Sequence, residues 1–160
     1  MDNNYLYAVA NIRANELSLL SRADIDALID APDYKTALTL LDGKGYDTSF
    51  GSDYSAMLDG ETEKTWSLIK SVAPSAEALD IFIVKNDFQN LKAVLKSEKT
   101  GDDAEKYLVS PSVIPKELLL KAVKERDFAS LPDFISGAAE KCLEVITKTE
   151  NGQLCDIVAD

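Results

Sequence analysis

A chain without histidine must do any acid–base chemistry with carboxylates, lysines, tyrosines or thiols, and this sequence has no histidine at all. Ser–His–Asp and Cys–His arrangements, His-based zinc sites and two-His iron sites are therefore excluded. Cys142 and Cys155 are the two cysteines. Cys142 lies on the apolar stripe Phe134, Ile135, Ala138, Cys142 and Ile146, and reads as a core residue. Cys155 has no basic neighbour in sequence to lower its pKa, which makes it a poor nucleophile. The loop Asp42-Gly43-Lys44-Gly45-Tyr46-Asp47 fails as a phosphate loop, lacking the leading Gly and the hydroxyl residue after Lys44. It fails as a calcium loop too, with Lys44 and Tyr46 where oxygen ligands belong and Asp47 where Gly is required. Chance pairs of carboxylates are guaranteed by 28 acidic residues, and Asp24, Asp26 and Asp30 read as a helix cap and a solvated helix face. No catalytic residue, no cofactor-binding residue, no metal ligand and no cofactor is predicted. The chain is not expected to be an enzyme.

The elements that would position these residues are helices. Apolar residues recur at helical spacing almost throughout, and period-two alternation is hard to find. With 46% hydrophobic and 28% charged residues the composition is that of a folded domain. The net charge of −11 disfavours nucleic-acid binding, because an acidic surface repels phosphate backbones. No apolar run reaches the length needed to cross a bilayer, and Met1-Asp2-Asn3-Asn4 lacks the features of a signal peptide. A soluble, cytoplasmic protein without direct membrane insertion is expected.

The spacing predicts a first helix over residues 5–20, with Tyr5, Val9, Ile12, Leu19 and Leu20 on one arc. Ser21 and Asp24 form a capping pair for a short helix through Ile29. Asp33 caps Tyr34 to about Asp42, and Gly43 and Gly45 stop that helix. Asp53 opens a long helix to Ala73. After Pro74-Ser75 a second long helix runs from Ala76 to Lys99, and so short a link predicts an αα-hairpin of the two. Further helices are expected near residues 103–108, 115–125, 132–147 and 154–160, with Pro115 and Pro132 at first helical positions.

The 76–99 helix is apolar over most of its circumference, which predicts a central, most-buried position. Asp80, Asn86, Asp87 and Asn90 fall inside the apolar arc and need partners, since an unpaired buried polar group costs about 1–3 kcal/mol. Arg13 and Glu16 project from the inward arc of the first helix. Two readings stand: a buried network joining Arg13 to Asp87 or Glu16, or a solvated groove between helices. Asp87 is expected to be inaccessible and bonded to Arg13 or to a helix N-terminus. The strip Lys85, Lys92, Lys96, with Gln89 among it, reads as a solvated face and alternatively as a docking surface for an acidic partner. An internal echo adds to this. Ala27-Leu28-Ile29 leading to Asp33-Tyr34, Leu38 and Leu41 is matched 94 residues on by Lys121-Ala122-Val123 leading to Asp127-Phe128, Leu131 and Ile135.

The opening Tyr5-Leu6-Tyr7-Ala8-Val9-Ala10-Asn11-Ile12-Arg13-Ala14, with Leu19-Leu20-Ser21 and Asp24-Ile25-x-x-Leu28, resembles the start of the C-type subunits of A/V-type rotary ATPases, whose eukaryotic counterpart is the d-type subunit. Ala37-Leu38-x-x-Leu41 and Gly45-Tyr46 fit as well, as does Lys85-Asn86-Asp87-Phe88-Gln89-Asn90-Leu91-Lys92-Ala93-Val94-Leu95-Lys96, where Lys85 departs from the Arg common in the family. The resemblance implies an all-α fold of helical repeat units with long antiparallel helices, forming part of a pseudo-threefold funnel. Family members are about twice this length, so the chain is expected to be an N-terminal portion, with residues 1–108 a first helical unit and 109–160 the beginning of a second. Cys155–Asp160 reads as mid-helix. The implied role is mechanical: a non-catalytic part of the central stalk that couples the rotor axle to the proteolipid ring for proton or sodium transport, peripheral to the membrane. A free-standing helical adaptor that binds a protein or peptide in a groove is the alternative. Apolar faces left uncovered predict self-association of this chain.

Overall fold

The computed structural model describes residues 3–75 and 77–160. Its helices are α1 (Asn3–Glu16), α2 (Arg22–Ile29), α3 (Tyr34–Asp42), α4 (Tyr54–Val72), α5 (Val84–Thr100), α6 (Lys116–Glu125), α7 (Asp133–Thr149) and α8 (Gly152–Ala159), with short 3-10 turns between several of them. No strand occurs among the described residues. The fold is all-α, as the periodicity requires. The chain divides into two compact units, Met1–Ala78 and Leu79–Asp160.

In the first unit the local signals act as read. The Asp24 amide donates to Ser21 Oγ at 3.2 Å while the Ser21 amide donates to Asp24 Oδ2 at 2.8 Å, a reciprocal capping box that starts α2. Asp33 accepts from the Thr36 amide at 2.7 Å and Asp53 from the Ala56 amide at 3.0 Å, starting α3 and α4. The first helix is shorter than expected. It ends at Glu16, and the Ser18 and Leu19 amides turn back to the carbonyls of Asn15 and Glu16. Its inward arc is not realised either: Ala8 is buried, whereas Tyr5, Leu6, Tyr7 and Val9 are exposed. Apolar residues at five successive positions, 5–9, cannot share one helical face, so most must point outward. Alongside Ala8, the buried apolar side chains of this unit among the described residues are Met57 and Val72 of α4. α1 packs on α4, and the Thr48–Phe50 turn bridges α3 and α4.

The second unit carries a continuous core. Leu91 and Leu95 of α5, Leu119 of α6, Ile135 and Ala139 of α7 and Cys155 of α8 are all essentially without exposed surface and belong to one cluster. α5 touches α6, α7 and α8, which bears out its central place. The long helix expected over 76–99 is interrupted, however. Ala76 lies outside the described residues, Glu77–Phe82 is a 3-10 turn, and α5 begins only at Val84. Ile81 and Phe82 are 73% and 63% exposed instead of buried. The run Ile81-Phe82-Ile83-Val84 is β-branched and aromatic throughout, a composition that loses side-chain freedom in an α-helix. α4 and α5 also fall in different units, so the expected αα-hairpin is a feature of neither.

Pro115 and Pro132 occupy cap positions, one residue before the expected first turn. The internal echo diverges at its second copy. Asp127 precedes a 3-10 turn and makes no capping bond, and Pro132 leads into α7 instead. α7 ends at Glu150, which adopts the left-handed conformation at φ 56°, and Asn151 caps α8 through the Gln153 amide.

Candidate functional site

The polar residues inside the apolar arc of α5 have one joint task. Asp87 is fully buried and Asn90 is 1% exposed. The Ile114 amide donates to Asp87 Oδ1 at 2.8 Å, and the Val113 amide to Oδ2 at 3.1 Å. Asn90 donates to the Val109 carbonyl at 3.0 Å and accepts from the Val109 amide at 2.7 Å, and Asn86 donates to the Pro111 carbonyl at 2.7 Å. Three side chains on one face of α5 thus clamp the backbone of residues 109–114, which leads into α6. Burial pushes the Asp87 carboxyl above its ordinary value, and the two amide bonds oppose that shift without cancelling it. The expected partner Arg13 is not involved. It pairs with Glu16 at 2.8 Å on an exposed stretch of α1. Sequence patterning identified the buried acid but not its partners, because backbone amides 26 and 27 residues away carry no signature of their own.

The basic strip is turned inward more than expected. Lys92 reaches Asp160 and Lys96 reaches Asp156, each at 2.5 Å, and Lys99 reaches Glu150 at 3.1 Å. The Lys92 side chain is only 12% exposed. The acidic partner of this strip is therefore α8 and its leading turn, within the same chain, while Lys85 remains exposed. Cys142 is core as read, with no exposed surface, and Cys155 is equally buried. Burial raises both thiols, Cys142 to about 12, which holds them in the unreactive thiol form.

The 42–47 loop serves the first unit structurally. Lys44 pairs with Asp24 at 2.7 Å, and the Asp47 amide donates to Glu61 Oε1 at 3.1 Å while Asp47 itself caps the following turn. The Lys44 ammonium and the Ser21 donors hold the Asp24 carboxyl down at about 2. Asp26 pairs with Arg22 at 3.0 Å on the solvated face, as expected for that cluster. Gly45 has φ +88°, a conformation that favours glycine and closes the loop. Beside this loop lies an open groove of about 410 Å³, floored by Ile12, Leu19, Leu68 and Ile69 and edged by Tyr46, Glu61 and Lys64. Patterning did not reveal it, because its wall comes from a loop read only as a helix stop.

No group of His, Cys, Asp and Glu among the described residues could hold a metal ion. No described helix is long and apolar enough to cross a membrane. What the surface offers is contact: an acidic exterior, the groove, and the exposed apolar side chains of α1. A family model described as ATP synthase (C/AC39) subunit matches residues 8–160. The C-type subunit of the V-type sodium ATPase of Enterococcus hirae is 25% identical over 153 residues, covering 93% of this chain and 47% of that protein. The chain thus spans about half the length of the curated relative it matches. No solved structure matches the chain significantly.

Proposed function

Because the chain belongs to the ATP synthase (C/AC39) subunit family, we propose that it acts as a non-catalytic member of the central stalk of a rotary V/A-type ATPase. In this role it couples the rotor axle to the membrane proteolipid ring and so serves ion transport. The observation that carries the reading is the length of the family match, residues 8–160, which takes in both compact units. A mechanical role is supported by the type of surface present. Exposed apolar side chains such as Tyr5, Leu6, Tyr7 and Leu17 suit burial against a partner, while the net charge of −11 sets encounter and register more than affinity. Torque passes through such a part by shape and rigidity, and the closely packed α5–α8 core is the stiff part of this chain. The protein works at the cytoplasmic side of the membrane, without inserting. Residues 1–108 and 109–160 belong to successive helical repeats of a pseudo-threefold funnel, and self-association follows where its apolar faces stay uncovered.

The test is reconstitution of the full-length protein with axle and ring components from the same source. Co-assembly with both at micromolar concentration is expected. Failure to bind either, while the other ATPase components assemble normally, would overturn the stalk reading. The groove beside Tyr46 favours a second reading, a free-standing helical adaptor that takes a peptide there. Tyr46→Arg would then abolish binding, whereas the stalk reading expects assembly to survive it.

A further inference from the structure

The turn between α7 and α8 carries the one Asn-Gly pair of the sequence, Asn151-Gly152. In such a pair the asparagine side-chain amide is lost most readily, because the following residue has no Cβ to hinder the approach of its backbone nitrogen to the asparagine Cγ. Asn151 is exposed, so water and hydroxide reach it. Its side chain is engaged in the cap of α8, where the Gln153 backbone amide donates to Asn151 Oδ1 at 2.9 Å. The Asn151 backbone amide in turn donates to Thr149 Oγ1 at 3.2 Å.

Loss of that amide needs a particular backbone shape. To meet Asn151 Cγ, the Gly152 nitrogen must rotate to the side of Cβ, which for an L residue is a strongly negative ψ outside the broadly allowed regions. Asn151 has φ −107° and ψ 106° instead. Changing that ψ swings Gly152, which is the first residue of α8, and α8 is not free to follow. Its Cys155 and Ala159 belong to one core cluster with Ile135, Ala139 and Cys142 of α7. The Cys142 thiol donates to the Cys155 carbonyl at 3.6 Å, and Lys96 of α5 pairs with Asp156. Gly152 itself is closely covered, since a Cβ there would lie 3.4 Å from Lys96 Cε.

We propose that Asn151 is the deamidation site of this chain, and that the packed α8 suppresses its conversion by holding the backbone out of ring-closing geometry. Hydroxide takes the proton of the Gly152 nitrogen, which attacks Asn151 Cγ. The new C–N bond closes a five-membered succinimide, and the side-chain nitrogen leaves as ammonia, taking a proton from water. Water then adds to one of the two ring carbonyls and breaks its C–N bond, giving aspartate or isoaspartate. Over both steps one water is consumed and one ammonia released. Aspartate caps a helix as well as asparagine does and its charge suits the helix N-terminus, so α8 accepts it. Isoaspartate routes the main chain through the former side chain and removes the capping group.

The full chain is incubated at mildly alkaline pH, unfolded in guanidinium chloride and folded in sodium chloride of equal concentration. Peptide mapping by mass locates each converted asparagine, and isoaspartyl methyltransferase counts isoaspartate. Unfolded chains should convert first at Asn151 and give both products, and Gly152→Ala should slow that conversion several-fold by supplying a Cβ. In folded chains conversion at Asn151 should be slower by roughly tenfold or more, as expected of backbone held in a packed element. Refolded isoaspartate chains should melt lower, whereas Asn151→Asp melts as the unaltered chain does. Equal rates in folded and unfolded chains would overturn the proposal, as would earlier conversion of another asparagine in the unfolded chain. Isoaspartate chains that melt unchanged would do the same.

Discussion

Replacing Asp87 with Ala isolates the α5 clamp. Its carboxylate has no exposed surface and accepts from two amides, of which that of Ile114 is buried and that of Val113 is half-buried. After truncation the Ile114 amide has no route to water, at about 1–3 kcal/mol, while Val113 recovers part of its bond through solvent. Removing a buried carboxylate also relieves a desolvation cost, which offsets some of the loss. The expected net destabilisation is about 1–3 kcal/mol near pH 4. The pH dependence follows from the direction of the shift. A carboxyl whose folded pKa lies above its unfolded value is penalised once ionised, so its contribution falls as pH rises from the unfolded value through the folded one. The deficit of Asp87→Ala should therefore shrink between pH 4 and neutrality. Urea denaturation at both pH values measures it, and amide exchange at Val113 and Ile114 reports the clamp itself. A loss below 0.5 kcal/mol, or a deficit that grows with pH, would refute the reasoning.

The Asp24 carboxyl, held at about 2 by Lys44 and Ser21, should titrate by NMR about two units below an ordinary aspartate. Its folded pKa is depressed, so the stability it confers is present above about pH 4 and lost as pH falls towards 2, and Asp24→Asn should flatten that part of the acid-unfolding profile. Ile135, fully buried in α7, should cost about 2–5 kcal/mol when replaced by Ala; calorimetry showing less than 1 kcal/mol would mean the α5–α8 core collapses around the gap.

What the sequence made legible was local or periodic. Ser21 with Asp24, Asp33 and Asp53 start helices through bonds that span three residues, so composition and spacing suffice. The burial of Asp87, Asn90 and Cys142 followed from apolar periodicity. Three things did not follow. The break before Val84 depends on which of two helical geometries the 77–82 segment adopts, and apolar spacing is much the same in both. Tyr5, Val9, Ile12, Leu19 and Leu20 fit one arc of a helix over residues 5–20, but α1 ends at Glu16, and Leu6 and Tyr7 lie outside that arc. Lys92 and Lys96 read as solvated because their partners Asp160 and Asp156 lie 68 and 60 residues on, among many acids of equal standing. No chemical site was predicted, and the structure brings together a polar clamp, a groove and a thiol pair in its place.

The clamp on residues 109–114 grips main chain, and this decides which substitutions that segment tolerates. Asn90 and Asp87 bind the amides of Val109, Val113 and Ile114, and Asn86 binds the Pro111 carbonyl, groups that almost every residue type supplies. The segment can therefore drift in side-chain identity at positions 110 and 112 while its path stays fixed. Proline is barred at 109, 113 and 114, where it would delete a donor, and an apolar side chain is required at Ile114, which is 2% exposed. The three α5 residues have no such freedom: Asn86, Asp87 and Asn90 each offer a shape and polarity that no neighbour replaces. In a set of related sequences, variation should thus concentrate in the gripped segment and spare the residues that grip it.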